Sequence, residues 1–493
     1  MGLSNPILRG VHPDPSICRV GDAYYLATSS FAMHPGIPIH RSRDLSTWEL
    51  IGHVLTGDSW IPLEGFDSSD GVWAPTIRHH DGVFYVVFTL AHGRTGASTY
   101  VCTATDPAGP WTRDAITGAE GIDPSLFFDD DGTCWFSAAR DAVDPGAYGP
   151  GEIWVQQFDL ATSALVGPRR AVWHGALART WVEAPHIYKA NGEYHLIAAE
   201  GGTEYNHSIT AARAPHPLGP YTTDPRSPLL THRHLGRDSP IQNVGHGDVV
   251  WSPEGTPWGV ALGVRPVDGH HTLGRETFLV PMSWDGDGPV FAPGEGAIVM
   301  DADDDVDPIE PAWVALRGPV DARVDAGEII LGASPLTLAQ TGTPSFLGVR
   351  QTMRTSTFEA TVDPPTVEGQ RLGIFAFQNE KYHVGVVAMG RDGDTVVQII
   401  AVSAGTETVL DEGTLAGSVR MRITTAPTTY LFEATGGGGE RVSASIPHTA
   451  LSTETGGGFV GVLIGPWHGG TTGDDPAVFS DVSYRSGTDD ANA

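Results

Sequence analysis

The chain has 493 residues, which is long for one domain and suits two or three. Its 62 Gly and 37 Pro favour a turn-dense, all-β protein, and a hydrophobic content of 40% is enough for packed cores. The formal charge of −30, from 59 acidic against 29 basic residues, argues against nucleic acid or an anionic membrane surface as a partner.

The N-terminus and the cysteines set further limits. The opening residues, Met1-Gly2-Leu3-Ser4-Asn5-Pro6, show no basic region followed by an apolar run, and no stretch approaches the ~20 apolar residues of a membrane span. Cys18, Cys102 and Cys134 are too widely spaced for a disulfide framework or a zinc site. We therefore expect a cytoplasmic protein with no membrane partner.

A proline-centred phrase recurs five times in the first 260 residues, with its anchors 49 to 63 residues apart. A turn signal such as Asp81-Gly82 and then an aromatic residue follow each anchor, which predicts a strand, a hairpin turn and a second strand. Five such units predict a five-bladed β-propeller with each anchor on the innermost strand. The copies are His12-Pro13-Asp14-Pro15-Ser16-Ile17, Trp73-Ala74-Pro75-Thr76-Ile77, Ile122-Asp123-Pro124-Ser125-Leu126, Glu183-Ala184-Pro185-His186-Ile187 and His246-Gly247-Asp248-Val249-Val250.

Three copies carry an acidic residue beside the anchor. Asp14 and Asp123 directly precede their prolines, and Glu183 lies one position earlier. Blade symmetry should bring these three carboxyl groups to one cavity on the axis. One ionised and one protonated carboxyl group are what glycosidic bond hydrolysis needs, and a third can raise the pKa of the acid. The alternative is that the acids cap strands or pair with basic residues in the axial channel.

The propeller pattern ends near Phe278–Trp284, and a Gly-, Pro- and Asp-rich passage follows. We predict a propeller over residues 1–300, a linker over 301–315 and a second domain over 316–493. The run Asp301-Ala302-Asp303-Asp304-Asp305-Val306-Asp307-Pro308 is interpreted as linker, since it lacks the spacing of an EF-hand calcium loop. Short alternating runs such as Phe358–Val362 and Val419–Ile423 then predict an antiparallel β-sandwich.

Longer stretches around these motifs carry a family resemblance. They are Asn5-Pro6-Ile7-Leu8, His12-Pro13-Asp14-Pro15-Ser16, Trp73-Ala74-Pro75, Asp123-Pro124-Ser125-Leu126, Glu183-Ala184-Pro185-His186-Ile187-Tyr188, Gly274-Arg275-Glu276-Thr277 and, in the second domain, Pro344-Ser345-Phe346-Leu347-Gly348-Val349-Arg350-Gln351. Together they resemble glycoside hydrolase family 43, and in particular its two-domain β-xylosidases and α-L-arabinofuranosidases. The resemblance implies an inverting enzyme whose concanavalin-like second domain covers the mouth of the active site.

The resemblance also implies the catalytic roles. Asp14 matches the general base that activates water, Glu183 matches the general acid, and Asp123 matches the carboxylate that tunes and orients that acid. Asp14 and Glu183 should then stand roughly 6.5–9.5 Å apart, which leaves room for a water molecule. Glu200 is a rival acid by composition, but it is expected at the far end of the second strand of its blade.

Further positions match substrate-binding residues of the family. Arg275 matches an arginine that contacts sugar hydroxyls, and a salt bridge to Glu276 or to an axial acid is its alternative role. Phe31 and Trp73 match aromatic residues of the sugar pocket, although aromatics on blade strands are more often core. Thr203 matches a substrate-contacting threonine, for which a turn-stabilising hydroxyl is the alternative.

His246 and Phe479 complete the predicted site. His246 takes the central slot of the fifth blade, either as a hydrogen-bonded structural histidine or beside a Ca²⁺ ion on the propeller axis. No cofactor is expected to be required. Phe479 is the counterpart, in the second domain, of an aromatic that closes the pocket in relatives.

The leading hypothesis is an exo-acting glycosidase that releases terminal xylose from β-1,4-xylo-oligosaccharides and also accepts α-L-arabinofuranosyl groups. The alternatives are a dedicated α-L-arabinofuranosidase and, in a different class, a non-catalytic carbohydrate-binding propeller. The expected partner is a small oligosaccharide, and the sequence is compatible with a homo-oligomer.

Overall fold

The computed structural model of the protein describes residues 5–93, 96–177, 180–300, 312–471 and 475–487. Helices within these ranges are short: α1 (Pro145–Tyr148), α2 (Thr453–Gly456) and the 3-10 turns Gly57–Ser59, Arg233–Leu235 and His448–Leu451. None of the helices described is long and apolar enough to span a membrane.

Five antiparallel sheets of four strands each make up the first domain, so the predicted five-bladed propeller is confirmed. Strand β3 (Met33–His34) leaves blade 1 and joins another sheet. The blades, from the inner to the outer strand, are β1 (Ser16–Val20), β2 (Ala23–Ala27), β4 (Gly36–Ser42) and β5 (Glu49–Leu55); β6 (Gly71–His80), β7 (Val83–His92), β8 (Gly96–Ala104) and β9 (Thr112–Ala115); β10 (Ile122–Phe128), β11 (Cys134–Asp141), β12 (Gly151–Asp159) and β13 (Ala164–Trp173); β14 (Val182–Ala190), β15 (Glu193–Glu200), β16 (Ser208–Ala214) and β17 (Thr222–Thr223); and β18 (Gln242–Trp251), β19 (Pro257–Val264), β20 (Glu276–Asp285) and β21 (Gly288–Phe291).

The start of each inner strand carries a residue other than glycine in the left-handed backbone region. These residues are Asp14 (φ 55°), Ala74 (φ 43°), Asp123 (φ 55°), Ala184 (φ 53°) and His246 (φ 44°), and the fifth inner strand also has Asn243 (φ 58°). In the second to fifth blades the pairing register of the inner strand shifts around this residue, as in a β-bulge. Such a backbone is costly for residues other than glycine and tends to be kept at functional sites. The repeated bulge therefore marks the axial end where the acids lie.

Two antiparallel sheets form the second domain, as the alternating runs predicted. Their facing sides share one buried core that includes Phe358, Ile374 and Phe432. In sheet order, the eight-stranded sheet is β3, β22 (Trp313–Leu316), β25 (Gly348–Arg350), β34 (Leu463–Gly469), β27 (Arg371–Asn379), β28 (Tyr382–Arg391), β29 (Asp394–Ser403) and β30 (Thr406–Leu415), and the seven-stranded sheet is β23 (Ala322–Asp325), β24 (Glu328–Leu331), β35 (Ala477–Ser486), β26 (Ser356–Val362), β31 (Val419–Ala426), β32 (Thr429–Thr435) and β33 (Arg441–Pro447).

The predicted linker differs in part from the structure. Residues 301–311, with the Asp-rich run from Asp301 to Pro308, lie outside the described residues. The last part of the predicted linker is not a linker, because strand β22 begins at Trp313 and pairs with β25 and β3.

The two domains share one sheet. Strand β3 of the propeller pairs antiparallel with β22, with Met33 opposite Leu316 and His34 opposite Ala315. Around this pairing, one buried hydrophobic cluster contains side chains from both domains. It includes Val11, Phe31 and Met33 of the propeller and Val314, Leu316, Phe346, Phe375 and Trp467 of the sandwich. The sandwich therefore docks through an apolar interface on the first blade.

Hydrogen bonds and an ion pair add to this interface. The carboxylate of Glu380 in the sandwich accepts a hydrogen bond from the Ser68 hydroxyl at 2.6 Å and pairs with Arg317. The buried Arg317 side chain also donates from Nε to the Phe66 carbonyl at 2.6 Å. These contacts fix the sandwich to the segment before blade 2, which leads to Trp73.

Candidate active site

The predicted acids lie together at the axial bulges. Asp14 lies two residues before β1, Asp123 and Glu183 are the second residues of β10 and β14, and Ala184 follows Glu183 in the bulge of the fourth blade. The Ala184 backbone N–H donates to Asp123 Oδ2 at 3.1 Å, which places Asp123 beside the Glu183 segment. Asp14 and Asp123 are buried and Glu183 is partly exposed. The three carboxyl groups are close enough to interact electrostatically with one another.

Asp14 is held in its charged form. Burial raises its pKa, but the positive charge of Arg275, the neighbouring His246 and a hydrogen bond from Ser29 together lower it more, so the pKa lies below its ordinary value. Arg275 donates to Asp14 Oδ1 at 3.0 Å, and the Ser29 hydroxyl donates to Oδ2 at 2.6 Å. The Ser29 oxygen in turn accepts from the Ala74 N–H at 2.7 Å, which directs the serine proton at Asp14. No motif in the sequence singles out this serine.

Glu183 has the opposite character. Burial and the negative charge of Asp14 raise the pKa of Glu183 to about 7, although Arg275 works against this shift. Burial and the charges of Glu183 and Asp14 also raise the pKa of Asp123 well above its ordinary value. The cavity therefore combines an ionised carboxylate with a carboxyl group that still holds a proton near neutral pH.

Arg275 connects the acids to the predicted sugar-binding residues. One of its terminal nitrogens donates to Thr203 Oγ1 at 2.9 Å as well as to Asp14. Its guanidinium lies 5.7 Å from the centre of the Phe31 ring. Of the two predicted alternatives for Arg275, the salt bridge to an axial acid is present, since Arg275 pairs with Asp14 at 3.0 Å. Glu276 pairs instead with Arg265 at 2.6 Å.

Phe459, rather than Phe479, is the aromatic that the sandwich contributes. Phe459 lies 6.5 Å from Phe31 and 5.5 Å from Trp73 between ring centres, and 5.4 Å from the Arg275 guanidinium. The prediction for Phe479 is wrong: this side chain is fully buried in the sandwich core, where strand alternation turns it inwards. Contacts link the other predicted site residues to Arg275, Asp14 or Phe459.

The loop of Phe459 approaches the propeller closely. Its backbone N–H donates to the Ser69 hydroxyl at 2.9 Å, and the Ser69 carbonyl accepts from the Trp73 indole at 2.9 Å. A Cβ at Gly461 would lie 2.6 Å from the Leu273 carbonyl oxygen, so only glycine fits there. Glycines precede and follow Phe459, at 456–458 and 461, and this cluster is the sequence feature that could have indicated a loop in close contact with the propeller.

Glu200 has a structural contact instead of a place beside the acids. Its carboxylate accepts backbone hydrogen bonds from Ala176 at 2.5 Å and Leu177 at 2.7 Å. Burial raises the pKa of Glu200 to about 7 despite these bonds. Both oxygens are thus engaged by the loop between the third and fourth blades.

His246 occupies the axial slot of the fifth blade beside Asp14. Its Nδ1 lies 3.5 Å from Asp14 Oδ1, and burial lowers its pKa. Among the described residues, no group of three or more His, Cys, Asp and Glu could hold a metal ion. The nearest carboxylate is already paired with Arg275, so the residues do not fit a calcium cage built from protein oxygens. A Ca²⁺ ion with mostly water ligands stays a prediction.

Comparisons with known proteins agree with this geometry. The model of glycosyl hydrolases family 43 matches residues 3–290, and the model of the β-xylosidase C-terminal concanavalin A-like domain matches residues 304–485. The chain belongs to glycoside hydrolase family 43. It is therefore a glycosidase, and its second domain is concanavalin A-like.

Relatives within family 43 cover the whole chain. A xylosidase/arabinosidase of Butyrivibrio fibrisolvens is 36% identical over 516 residues, with 98% of each sequence covered. A non-reducing end α-L-arabinofuranosidase of Bacteroides ovatus is 34% identical over 510 residues, covering 98% of this chain and 94% of the relative. The crystal structure of a xylan β-1,4-xylosidase from Bacillus halodurans has a TM-score of 0.89 at 30% identity, covering 98% of this chain and 100% of that one.

Proposed function

We propose that this family 43 enzyme is an exo-acting, inverting glycosidase that releases terminal xylose from β-1,4-xylo-oligosaccharides. One observation carries the proposal: an ionised Asp14 and a Glu183 whose pKa is raised to about 7 share one cavity. This is the pair of protonation states that a single displacement by water requires.

The three acids then have distinct roles. Asp14 accepts a proton from water while the water oxygen attacks the anomeric carbon. Glu183 gives its proton to the glycosidic oxygen as the bond from that oxygen to the anomeric carbon breaks. Asp123 lies against the Glu183 segment through the Ala184 N–H and orients the acid. Because two neighbouring carboxylates repel each other, the pair retains a proton near neutral pH.

The aromatic residues that cover one side of the site support exo action. Phe459 from the sandwich meets Phe31 and Trp73 from the propeller, so aromatic faces enclose one side of the site. Arg275, with fixed donors beside Asp14 and Thr203, suits the hydroxyl groups of a terminal sugar. A pocket closed in this way accepts a chain end in preference to the middle of a polymer.

A dedicated α-L-arabinofuranosidase is the second candidate. It is favoured by the activity for which the Bacteroides ovatus relative is named, since that relative aligns with 98% of this chain. Xylose and arabinofuranose present similar hydroxyl groups, so the described contacts of Arg275 and Thr203 suit either sugar.

Two aryl glycosides assayed side by side test the proposal. We expect a higher kcat/KM on an aryl β-D-xyloside than on an aryl α-L-arabinofuranoside, and the reverse order would favour the second candidate. Proton NMR of the early reaction should show α-xylose as the first product. Initial β-xylose would contradict the inverting mechanism.

A further inference from the structure

Arg350 is a buried cation without a counter-ion. It ends strand β25 in the Pro344–Gln351 segment, and 5% of its surface is exposed. Within the described residues its side chain makes one hydrogen bond, from Nε to the Val11 carbonyl at 3.1 Å, and no ion pair. One terminal nitrogen is fully enclosed without a partner. The charge therefore lacks compensation by protein groups.

Three histidines of the propeller, His12, His40 and His53, are close enough to Arg350 to interact with it electrostatically. His12 follows Val11 in the chain, and its ring meets the His40 ring edge-on at 5.3 Å between centres. His53 lies opposite Pro38 across β4 and β5, so it shares a blade face with His40. His40 Nδ1 and His53 Nε2 are buried with no hydrogen-bond partner.

The histidines add no positive charge near neutral pH. Burial, followed by the charge of Arg350, lowers the pKa of both His40 and His53 to about 3. A neutral imidazole can still donate one hydrogen bond, because one ring nitrogen keeps its proton. The cluster thus offers several enclosed donors and one net positive charge.

A bound anion would compensate the charge of Arg350 and accept hydrogen bonds from the enclosed donors. A buried charge is costly unless it is paired, and buried donors without partners add to the cost. Water could accept the hydrogen bonds but would leave the charge uncompensated. A monovalent ion matches the single charge of Arg350, whereas sulfate or phosphate would bring a second charge that meets no further cation.

We propose that Arg350, His40 and His53 bind one small halide-like anion, such as chloride, where blade 1 meets the sandwich. The ion would join the sandwich to the Val11–Asp14 segment through Arg350 and would stabilise the docked domains. This site is separate from the sugar cavity and does not depend on the proposed function.

Thermal unfolding of the full chain tests the anion site. At pH 7 and constant ionic strength, replacing sodium gluconate by sodium chloride should raise Tm by a few degrees, with saturation, since a ligand that binds only the folded state stabilises it. Arg350→Met should remove this chloride dependence. Arg41→Met, which removes an arginine of the same blade that pairs with Glu49 at 2.7 Å, should retain it. Equal Tm values in the two salts, or a dependence that survives Arg350→Met, would overturn the proposal.

Crystals of the unmodified protein provide the second test, which holds even if Arg350→Met does not fold. After a bromide soak, we expect an anomalous peak within hydrogen-bond distance of Arg350 and at least one of the two histidines. Bromide peaks confined to other places would contradict the site.

Discussion

Asp14 is buried yet charged, because Arg275 and Ser29 hold its two carboxylate oxygens. We expect Asp14→Ala to lower kcat/KM by about 10²–10⁴-fold on every glycoside, since no other group can deprotonate the water. Azide should restore part of the activity by attacking the sugar directly. Asp22→Ala, a change at an exposed aspartate of the same blade, should leave the rates unchanged. Substantial hydrolysis by Asp14→Ala without an added nucleophile would contradict the assignment.

Glu183 is the residue whose importance should depend on the leaving group. Glu183→Ala should strongly reduce hydrolysis of xylobiose, whose leaving alkoxide needs a proton, but should affect a dinitrophenyl xyloside much less. The acid works only while protonated, so wild-type activity should fall as pH rises through about 7. This alkaline limb of the pH–rate profile should be absent in the variant. Equal losses on both substrates would indicate a structural role.

Asp123 should act on the pH profile through Glu183. Asp123→Asn removes the carboxyl group that shares ionisation with the acid, so Glu183 should lose its proton more easily and the alkaline limb of kcat/KM should move to lower pH. An unchanged limb, measured on an aryl xyloside, would show that Asp123 carries no charge while Glu183 titrates.

Arg275 lowers the pKa of both Asp14 and Glu183. In Arg275→Met the base should protonate at higher pH and the acid should ionise at higher pH. Both limbs of the kcat/KM profile should therefore move upwards, along with an increase in KM. Arg43→Met, at an exposed arginine, is the control and should keep the wild-type profile. A rise in KM with both limbs fixed would limit Arg275 to sugar binding.

At the scale of single elements, the repeated bulge explains how a sequence pattern can indicate that acids of different blades lie close together. The left-handed residue recurs beside every anchor, so Asp14 and Asp123 occupy the same position in different blades. Local repetition of this kind is visible in a sequence. The contact of Phe459 is not, because it depends on how a loop of the sandwich meets Ser69, 390 residues earlier. Phe479 was the predicted counterpart, but strand alternation turns its side chain into the core.

Ser69 joins two pocket aromatics from different domains. Its hydroxyl accepts from the Phe459 N–H and its carbonyl from the Trp73 indole. Loss of one hydrogen bond costs about 1 kcal/mol, so Ser69→Ala should raise KM for an aryl xyloside several-fold while kcat changes little. Ser68→Ala is the matched control, because that neighbouring hydroxyl bonds Glu380 outside the pocket. Equal KM values for the two variants would show that Ser69 does not position the aromatics.

At the scale of the whole molecule, the interface makes the propeller and sandwich depend on each other. Arg317 is buried and relies on Glu380 for its charge partner. Breaking a buried pair from one side costs about 3–5 kcal/mol, so Glu380→Gln should lower the free energy of unfolding by a similar amount. Urea denaturation measures this loss, and Glu407→Gln, at an exposed position of β30, should show none. A loss below about 1 kcal/mol would mean that backbone carbonyls such as Phe66 suffice for Arg317.

The pairing of β3 with β22 limits how family members can be recombined. A chimera cut between residues 300 and 312 would carry the sandwich without the two-residue strand, Met33–His34, that covers the edge of β22. An uncovered edge invites pairing with other chains. Exchange of the second domain should therefore succeed only when the donor's equivalent of residues 30–35 is exchanged with it, although these residues lie far away in the gene.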